Sequence, residues 1–310
     1  MSDSPLCLAA AYYASIARQL GVSNESFHKN IYEMIFRLKK VHFAKSSMHL
    51  LLIKNLTLGI DKRSIKKFIL EITCWVASKH VASIRDKAAN QAEELCASGQ
   101  FAAAAVALKQ AVDLGHLPSR ALLAHMLLDG REGVARDWNV AFELVEEGTR
   151  SGCHNCQGVM ATCYWWGNGC IIYRALSVKL ARESSEKGSR YGQYVLGNSY
   201  RYGAGGVAQD DAQALALFRL AAAQNLDGAQ YSLGDMHYFG RGVAENLSKA
   251  LWWYQLAAAQ GNPIALYKVA YCHELGRGVG PNKAEAIYWY RRAQAAGHSC
   301  AADALQRLHK

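Results

Sequence analysis

Proline is scarce, with four in 310 residues, so little in the chain stops helices from running their full length. Long alternations of Val, Ile and Thr, which half-buried strands require, are missing. No apolar run approaches the ~18 residues that would span a bilayer. The disordered class is excluded as well, since 51% of the residues are hydrophobic. Nine cysteines sit at irregular spacings, and an odd number leaves one unpaired in a monomer. Reduced thiols and a cytoplasmic chain are therefore expected. The stretch from Pro5 to Ala17 lacks a basic segment before it and follows Asp3, unlike a secretory signal. Arg18 and the early serines keep a mitochondrial location as the alternative. What remains is an alanine-rich sequence in helical patterns, which predicts an all-α fold.

Acidic residues are scarce at one end only. Residues 1–90 hold 14 Lys and Arg against 6 Asp and Glu, leaving 21 against 19 for the remainder, so most of the formal charge of +10 is N-terminal. An acidic protein, a nucleic acid or a membrane surface is a candidate partner for that segment. Two apolar stripes, Ile31–Met34–Ile35–Leu38 and Ile65–Phe68–Ile69–Ile72–Val76, and the apolar stretch Met48 to Ile53 predict three or four packed helices there. The basic groups Arg37, Lys39, Lys40 and Lys45, then Lys62, Arg63, Lys66 and Lys67, fall on two of them.

Beyond this segment the chain repeats itself. Gly115, Gly152, Gly188, Asn225, Gly261 and Gly297 are spaced by 37, 36, 37, 36 and 36 residues, the period of stacked helical units. Gly and Asn tolerate the left-handed conformation that ends a helix, which predicts a helix C-terminus at each. Four residues on comes a small residue (Ser119, Cys156, Gly192, Ala229, Ala265, Ala301), and four further an apolar one (Leu123, Met160, Leu196, Leu233, Val269). The next residue is again small: Ala124, Ala161, Gly197, Gly234 and Ala270. Positions 0, 4 and 8 of a helix lie within about 80° of one another and form one buried stripe. The small neighbour lets another helix approach.

A glycine-rich turn follows in each unit: Gly130 to Val134, Gly167 to Cys170, Gly203 to Val207, Gly240 to Val243 and Gly276 to Val279. These turns join two helices, and no Lys-Ser/Thr or ribose-binding acid accompanies them, which argues against phosphate cradles. The second helix repeats too. Ala141, Ser177, Ala214, Ala250 and Ala286 are followed by the pairs Leu144–Val145, Leu180–Ala181, Leu217–Phe218, Trp253–Tyr254 and Trp289–Tyr290, then by Gly148, Ser184, Ala221, Ala257 and Ala293. Trp253 and Trp289 are expected to be buried between hairpins.

The string from Ala265 to Gly297 resembles the Sel-one-like repeat family, relatives of the tetratricopeptide repeats: small, Leu-Gly, aromatic, Gly-x-Gly-Val, Ala, Trp-Tyr, Ala-Ala, Gly. Five units match from Ser119 to Gly297; the first two depart, with Cys170 in place of the valine and no Trp-Tyr pair between Tyr173 and Leu180. The resemblance implies a right-handed α-solenoid of helix-turn-helix repeats. The expected organisation is a basic helical domain over 1–82, a tetratricopeptide-like capping hairpin over 83–118, five repeats over 119–300 and a capping helix over 301–310. A non-enzymatic protein-binding scaffold or adaptor is the implied function. Secreted members of the family with a disulfide in every repeat are linked to penicillin binding or hydrolysis, but here no cysteine pair recurs. A nucleic-acid-associated factor working through the basic N-terminus is the other alternative.

No catalytic constellation, cofactor site or metal site is expected. Cys153, His154, Cys156, Cys163 and Cys170 invite a metal, yet Cys156 and Cys163 stand seven apart on one helix, roughly 10.5 Å, too far for one zinc. His237 and His273 fill a column held by Tyr164 and Tyr200 and are expected in the core with a hydrogen-bonded ring nitrogen. In tetratricopeptide-like stacking the first helices line the concave side. The residues opposite their buried stripe then form a groove for a protein partner: Thr162, Trp165, Tyr194, Asn198, Arg201, Tyr231, Asp235, Tyr238, Tyr267, Tyr271 and Glu274. Tyr, Trp and Arg are the types that dominate binding hot spots.

Overall fold

The computed structural model describes residues 62–309, with side chains from 77 to 308. Most of the expected N-terminal domain, with Arg37, Lys39, Lys40 and Lys45, lies outside the described residues. For Lys62, Arg63, Lys66 and Lys67 only a helical backbone is described. The chain divides into two compact units between Ser83 and Ile84, and the second, Ile84–Lys310, holds the whole repeat array.

Thirteen α-helices make up the described residues: α1 (Lys62–Ala97), α2 (Phe101–Asp113), α3 (Leu117–Asp129), α4 (Trp138–Arg150), α5 (His154–Trp166), α6 (Arg174–Glu186), α7 (Arg190–Tyr202), α8 (Asp211–Ala223), α9 (Asp227–Phe239), α10 (Leu247–Ala259), α11 (Pro263–Leu275), α12 (Lys283–Ala295) and α13 (Ala301–His309). No strand forms among them, only one bridge between Arg131 and Val134 inside the first glycine-rich turn. From α2 onward each helix packs on the next in sequence order, and α5 also touches the neighbouring first helices α3 and α7. This is an α-solenoid.

The repeated columns account for the packing. All six residues of the helix-ending column have positive φ, and Asn225, at 59°, is the only non-glycine to do so among the described residues. Ala141, Ser177, Ala214, Ala250 and Ala286 are all fully buried. Of each bulky pair it is the second member that is sealed: Val145, Ala181, Phe218, Tyr254 and Tyr290 are 0% exposed. The expectation for Trp253 and Trp289 is corrected here, because both are half-buried. A tryptophan one position before the buried tyrosine points about 100° around the helix, toward the rim of the interface. The small column in the first helices makes room for these rings. A Cβ on Gly197 would meet the Phe218 ring at 2.7 Å, and one on Gly234 would meet Tyr254 at 2.5 Å.

A further column explains where the second helices begin. Asp137, Asp210, Asn246 and Asn282 each lie three residues after the valine column and accept a backbone N–H from the first turn of α4, α8, α10 and α12. Such a cap contributes about 1 kcal/mol. The corresponding residue before α6 is Tyr173, whose side chain caps nothing.

Candidate functional site

First and second helices form two layers. In the second helices one face is buried and the other faces solvent; α4, for example, buries only Ala141, Val145 and Gly148. The first helices are enclosed on most sides, and α9 buries Asp227 through Gln230 and Ser232 through His237. Polar side chains are therefore carried into the interior, where each needs a partner.

The largest polar cluster joins units far apart in sequence. Asp227, at the start of α9, is 3% exposed. It accepts hydrogen bonds from His125 Nε2 (2.8 Å), Arg131 Nη2 (2.5 Å) and Asn262 Nδ2 (3.0 Å). Burial alone would push this carboxyl up, but Arg131 and His125 reverse that and hold it far below the ordinary carboxylate range. Asn262 also caps α11 through Ile264 N and Ala265 N. Apolar contacts reinforce the closure: the Phe101 ring fills the space where Gly261 would carry a side chain, and Gly130 sits 3.7 Å from the Ala296 carbonyl on the same measure. The array curls until its first unit meets its last two.

Two cavities among the described residues border the His125–Asp227 bridge. The smaller, about 300 Å³, is lined among others by Cys96, Phe101, Arg131, Arg190, Tyr191 and Gln260. The larger, about 450 Å³, holds Thr162, Tyr194, Asn198, Arg201 and Tyr231 from the expected set. Trp138, Trp166, Tyr191 and Tyr202 join them, with Arg136 and Asp129. Trp138, Trp166 and Tyr202 are about half exposed and mark the mouth. They went unread in the sequence, although Trp166 and Tyr202 begin a column at the ends of the first helices that continues with Phe239 and Leu275 at the same spacing.

Trp165, Asp235, Tyr238, Tyr267, Tyr271 and Glu274 lie outside this cavity, and several expected residues, inside it or out, correct the premise that they face solvent. Trp165 is 2% exposed and packs among Ala161, Val178, Ala181, Val195 and Leu196, so it belongs to the core. Arg201 and Asp235 are both buried and paired to each other at 3.0 Å. The second oxygen of Asp235 accepts from the Tyr254 hydroxyl at 2.7 Å. Asn198 is also buried. Enclosed helices leave these positions no solvent side. Tyr267 stacks on His298 at 4.4 Å, Tyr238 lies under Lys268 Nζ at 6.0 Å, and Tyr271 is half-buried. Glu274 accepts from the Tyr290 hydroxyl and from Arg307. Thr162 Oγ1 bonds back to the Gly158 carbonyl at 3.3 Å. Two buried donors on the cavity wall, Arg201 Nε and Asn198 Nδ2, have no hydrogen-bond acceptor.

His237 is buried as expected and its ring hydrogen-bonds the Ala244 backbone, leaving its Nδ1 without a partner, as is the Nδ1 of the half-buried His273. Among the described residues, His125, Asp129 and Asp227 are the one group whose ligand atoms converge closely enough for a metal. The Arg131 guanidinium on the same Asp227 carboxylate repels a cation there.

Sequence comparison agrees with the repeat count except in one unit. The Sel1 repeat family matches residues 118–153, 190–226, 228–262 and 263–298. The unit left out, α5–α6, is the one lacking the valine and the capping residue, though its helices have the same length as those of the other units. No curated protein matches the chain. Among solved structures, a Sel1 repeat protein from Oxalobacter formigenes is 22% identical with a TM-score of 0.47, covering 71% of this chain and 89% of its own. The protective antigen c5321 of uropathogenic Escherichia coli, described as displaying an SLR fold, is 24% identical with a TM-score of 0.44, covering 72% and 51%. The immunity protein Pa5087 of Pseudomonas aeruginosa is 20% identical with a TM-score of 0.44, covering 69% and 83%. Four matched repeats and a fifth helix pair in register with them establish that the chain belongs to the Sel1-repeat family of helical repeat proteins.

Proposed function

We propose that this chain is a non-enzymatic adaptor that seats part of a protein partner in the larger inner cavity. Sel1-repeat proteins are in general non-catalytic scaffolds that bind proteins, and no helix among the described residues is long and apolar enough to cross a membrane. The observation that carries the reading is the wall of the 450 Å³ cavity, where the half-exposed Trp138, Trp166 and Tyr202 surround the mouth and Arg201 and Asn198 are among the polar residues lining it. Aromatic walls with a few placed polar groups are what a recognition pocket presents. A cavity of this size takes one or two side chains of a partner rather than a long extended peptide. A reducing, cytoplasmic setting belongs to the same proposal, in keeping with seven free cysteines among the described residues.

The test is affinity purification with mass spectrometry on three full-length proteins: wild type, Trp166→Ala/Tyr202→Ala, and a charge reversal of Lys39, Lys40, Lys66 and Lys67 to Glu. Trp166 and Tyr202 are half exposed, so the double variant should fold while its partner affinity drops by tenfold or more. Charge reversal should change association rate and salt sensitivity but keep the partner. The opposite result, with partner choice lost on charge reversal and retained in the double variant, would make the repeats a spacer. A steep salt dependence of binding would then point to phosphate contacts and a nucleic acid.

A further inference from the structure

The unit that departs most from the repeat pattern carries an arrangement found in no other described unit. Cys153 is the residue before α5, and its Sγ accepts the Cys156 backbone N–H at 3.4 Å. Ser189 and Asn262 do the same work before α7 and α11 with oxygen. Cys156 fills the small buried column at the fourth position after the helix-ending glycine. Each cysteine thus replaces an ordinary packing or capping residue, but together they make a Cys-His-Asn-Cys sequence across a helix N-terminus. The two sulfurs converge on one point, each lying 3.7 Å from the Leu117 carbonyl oxygen. Room for the second sulfur comes from Gly148, where other units have Ser or Ala and where any Cβ would overlap Cys156 Sγ.

From this geometry we infer that Cys153 and Cys156 form a redox-active dithiol, which low-molecular-weight disulfides convert to an intrachain disulfide and thiols restore. The two sulfurs are unequal in the way such exchange requires. Cys153 keeps 8% of its surface exposed, whereas Cys156 has none, so an incoming disulfide reaches only the first. The Cys156 thiol donates to Cys153, and the backbone N–H groups of Cys156 and Asn155 add to it, so the Cys153 thiol is held down to about 6 despite partial burial. Cys156 is pushed up by the same contact and by burial. At neutral pH the first sulfur is largely a nucleophilic thiolate and the second holds its proton. Cys163, fully buried with its thiol pushed up to about 12, shows what a merely structural cysteine looks like in the same helix.

The step balances without another reagent. The Cys153 thiolate attacks one sulfur of a disulfide RSSR, forming a mixed disulfide and releasing RS⁻. That thiolate takes the Cys156 proton and leaves as RSH. The Cys156 thiolate then attacks the Cys153 sulfur, the Cys153–Cys156 bond forms, and the second RS⁻ departs. Two protein thiols are oxidised and one RSSR is reduced.

The experiment equilibrates the full-length protein with glutathione buffers of increasing oxidised fraction, quenches in acid, and maps cysteines by fragmentation mass spectrometry. The expected result is loss of two hydrogens assigned to Cys153–Cys156, reversed by reduced glutathione and unaffected by Cys163→Ser. In Cys156→Ser the mixed disulfide with glutathione should accumulate on Cys153, because nothing resolves it. Alkylation of Cys153 in the reduced wild-type protein should reach half its limiting rate near pH 6. The inference fails if wild-type Cys153 accumulates glutathione without pairing to Cys156, if oxidation joins other cysteines while these two stay free, or if Cys153 alkylates with a midpoint above pH 8. None of these readouts depends on a partner, so failure here leaves the adaptor reading to its own test.

Discussion

The inner and outer helices of this array have equal lengths and nearly equal apolar content, yet they are held by different physics. Each outer helix buries a stripe of small residues with one or two larger apolar or aromatic side chains, so removal from water stabilises it. The inner helices α7 and α9, surrounded by protein, also bury charge in Arg201, Asp227 and Asp235, and each of these carboxylates has a cation or hydroxyl on it. Where a helix lies in the solenoid decides whether its polar face is a surface or an interior. The largest test of that difference is the inner link between the first and fourth units. Asp227→Asn keeps the shape but leaves Arg131 facing a neutral amide, and should cost about 3–5 kcal/mol in urea unfolding. In the wild type the Asp227 carboxyl titrates below its unfolded value, so its contribution is fully present above about pH 4 and is lost as pH falls through the folded pKa. An Asp227→Asn midpoint equal to wild type at pH 7 would mean the curled closure adds no stability.

On the outer side the expectation is carried by Tyr254, whose ring is fully buried and whose hydroxyl reaches Asp235. Tyr254→Ala should cost about 3 kcal/mol, and the half-buried Trp253→Ala less than half of that. Because repeat stability is a sum over neighbouring units, hydrogen exchange should quicken in α9 to α12 before α3 to α6. Equal losses for the two substitutions would show that the rim of the interface holds as tightly as its centre.

The outer layer was legible in the sequence because packing alone selects it: nothing but close helix approach favours a small residue at each of Ala141, Ser177, Ala214, Ala250 and Ala286. The positive φ of Asn225 was legible for a backbone reason of the same kind. The inner layer was not. Periodicity within one helix cannot distinguish water from another inner helix, so Arg201, Asp235 and Trp165 read as groove residues. Curling depends on small rotations added over several units, and the pair His125 and Asp227, 102 residues apart, leaves no local signal. The mouth aromatics Trp166 and Tyr202 could have been found as a column, but end-of-helix positions carry little packing constraint. Grouped with Cys163 and Cys170, the cysteines invite a metal set that the Cys156–Cys163 spacing argues against, and that grouping hides the closer spacing of Cys153 and Cys156.

The weak unit offers a gain rather than a loss. Tyr173 stands where Asp137, Asp210, Asn246 and Asn282 cap the other outer helices, and it is about half exposed, so its side chain can change without opening the core. Tyr173→Asp should stabilise the α5–α6 hairpin by about 1 kcal/mol. Hydrogen exchange in the first turn of α6 should slow, while α9 and α11 stay as they were. A variant no more stable than wild type would mean that something other than the missing cap sets this unit apart.

The smallest effect is expected where the inner motif recurs at the open end of the array. Tyr290 donates to Glu274, and Arg307 of the last helix donates to the same carboxylate, as Tyr254 and Arg201 do to Asp235. The atoms match but the setting differs, since the Arg307 side chain is 57% exposed and that of Arg201 only 6%. In water a guanidinium released from its partner is promptly solvated, and the pair is screened by salt. Arg307→Ala should therefore cost only about 0.5 kcal/mol, and the difference from wild type should shrink further at about 1 M salt. Arg201→Ala should cost several times more at either salt concentration, because Asp235 is left buried with its charge answered by one hydroxyl. Comparable losses for the two arginines, or a salt-dependent loss at Arg201, would show that the inner helices are wetter than their burial implies.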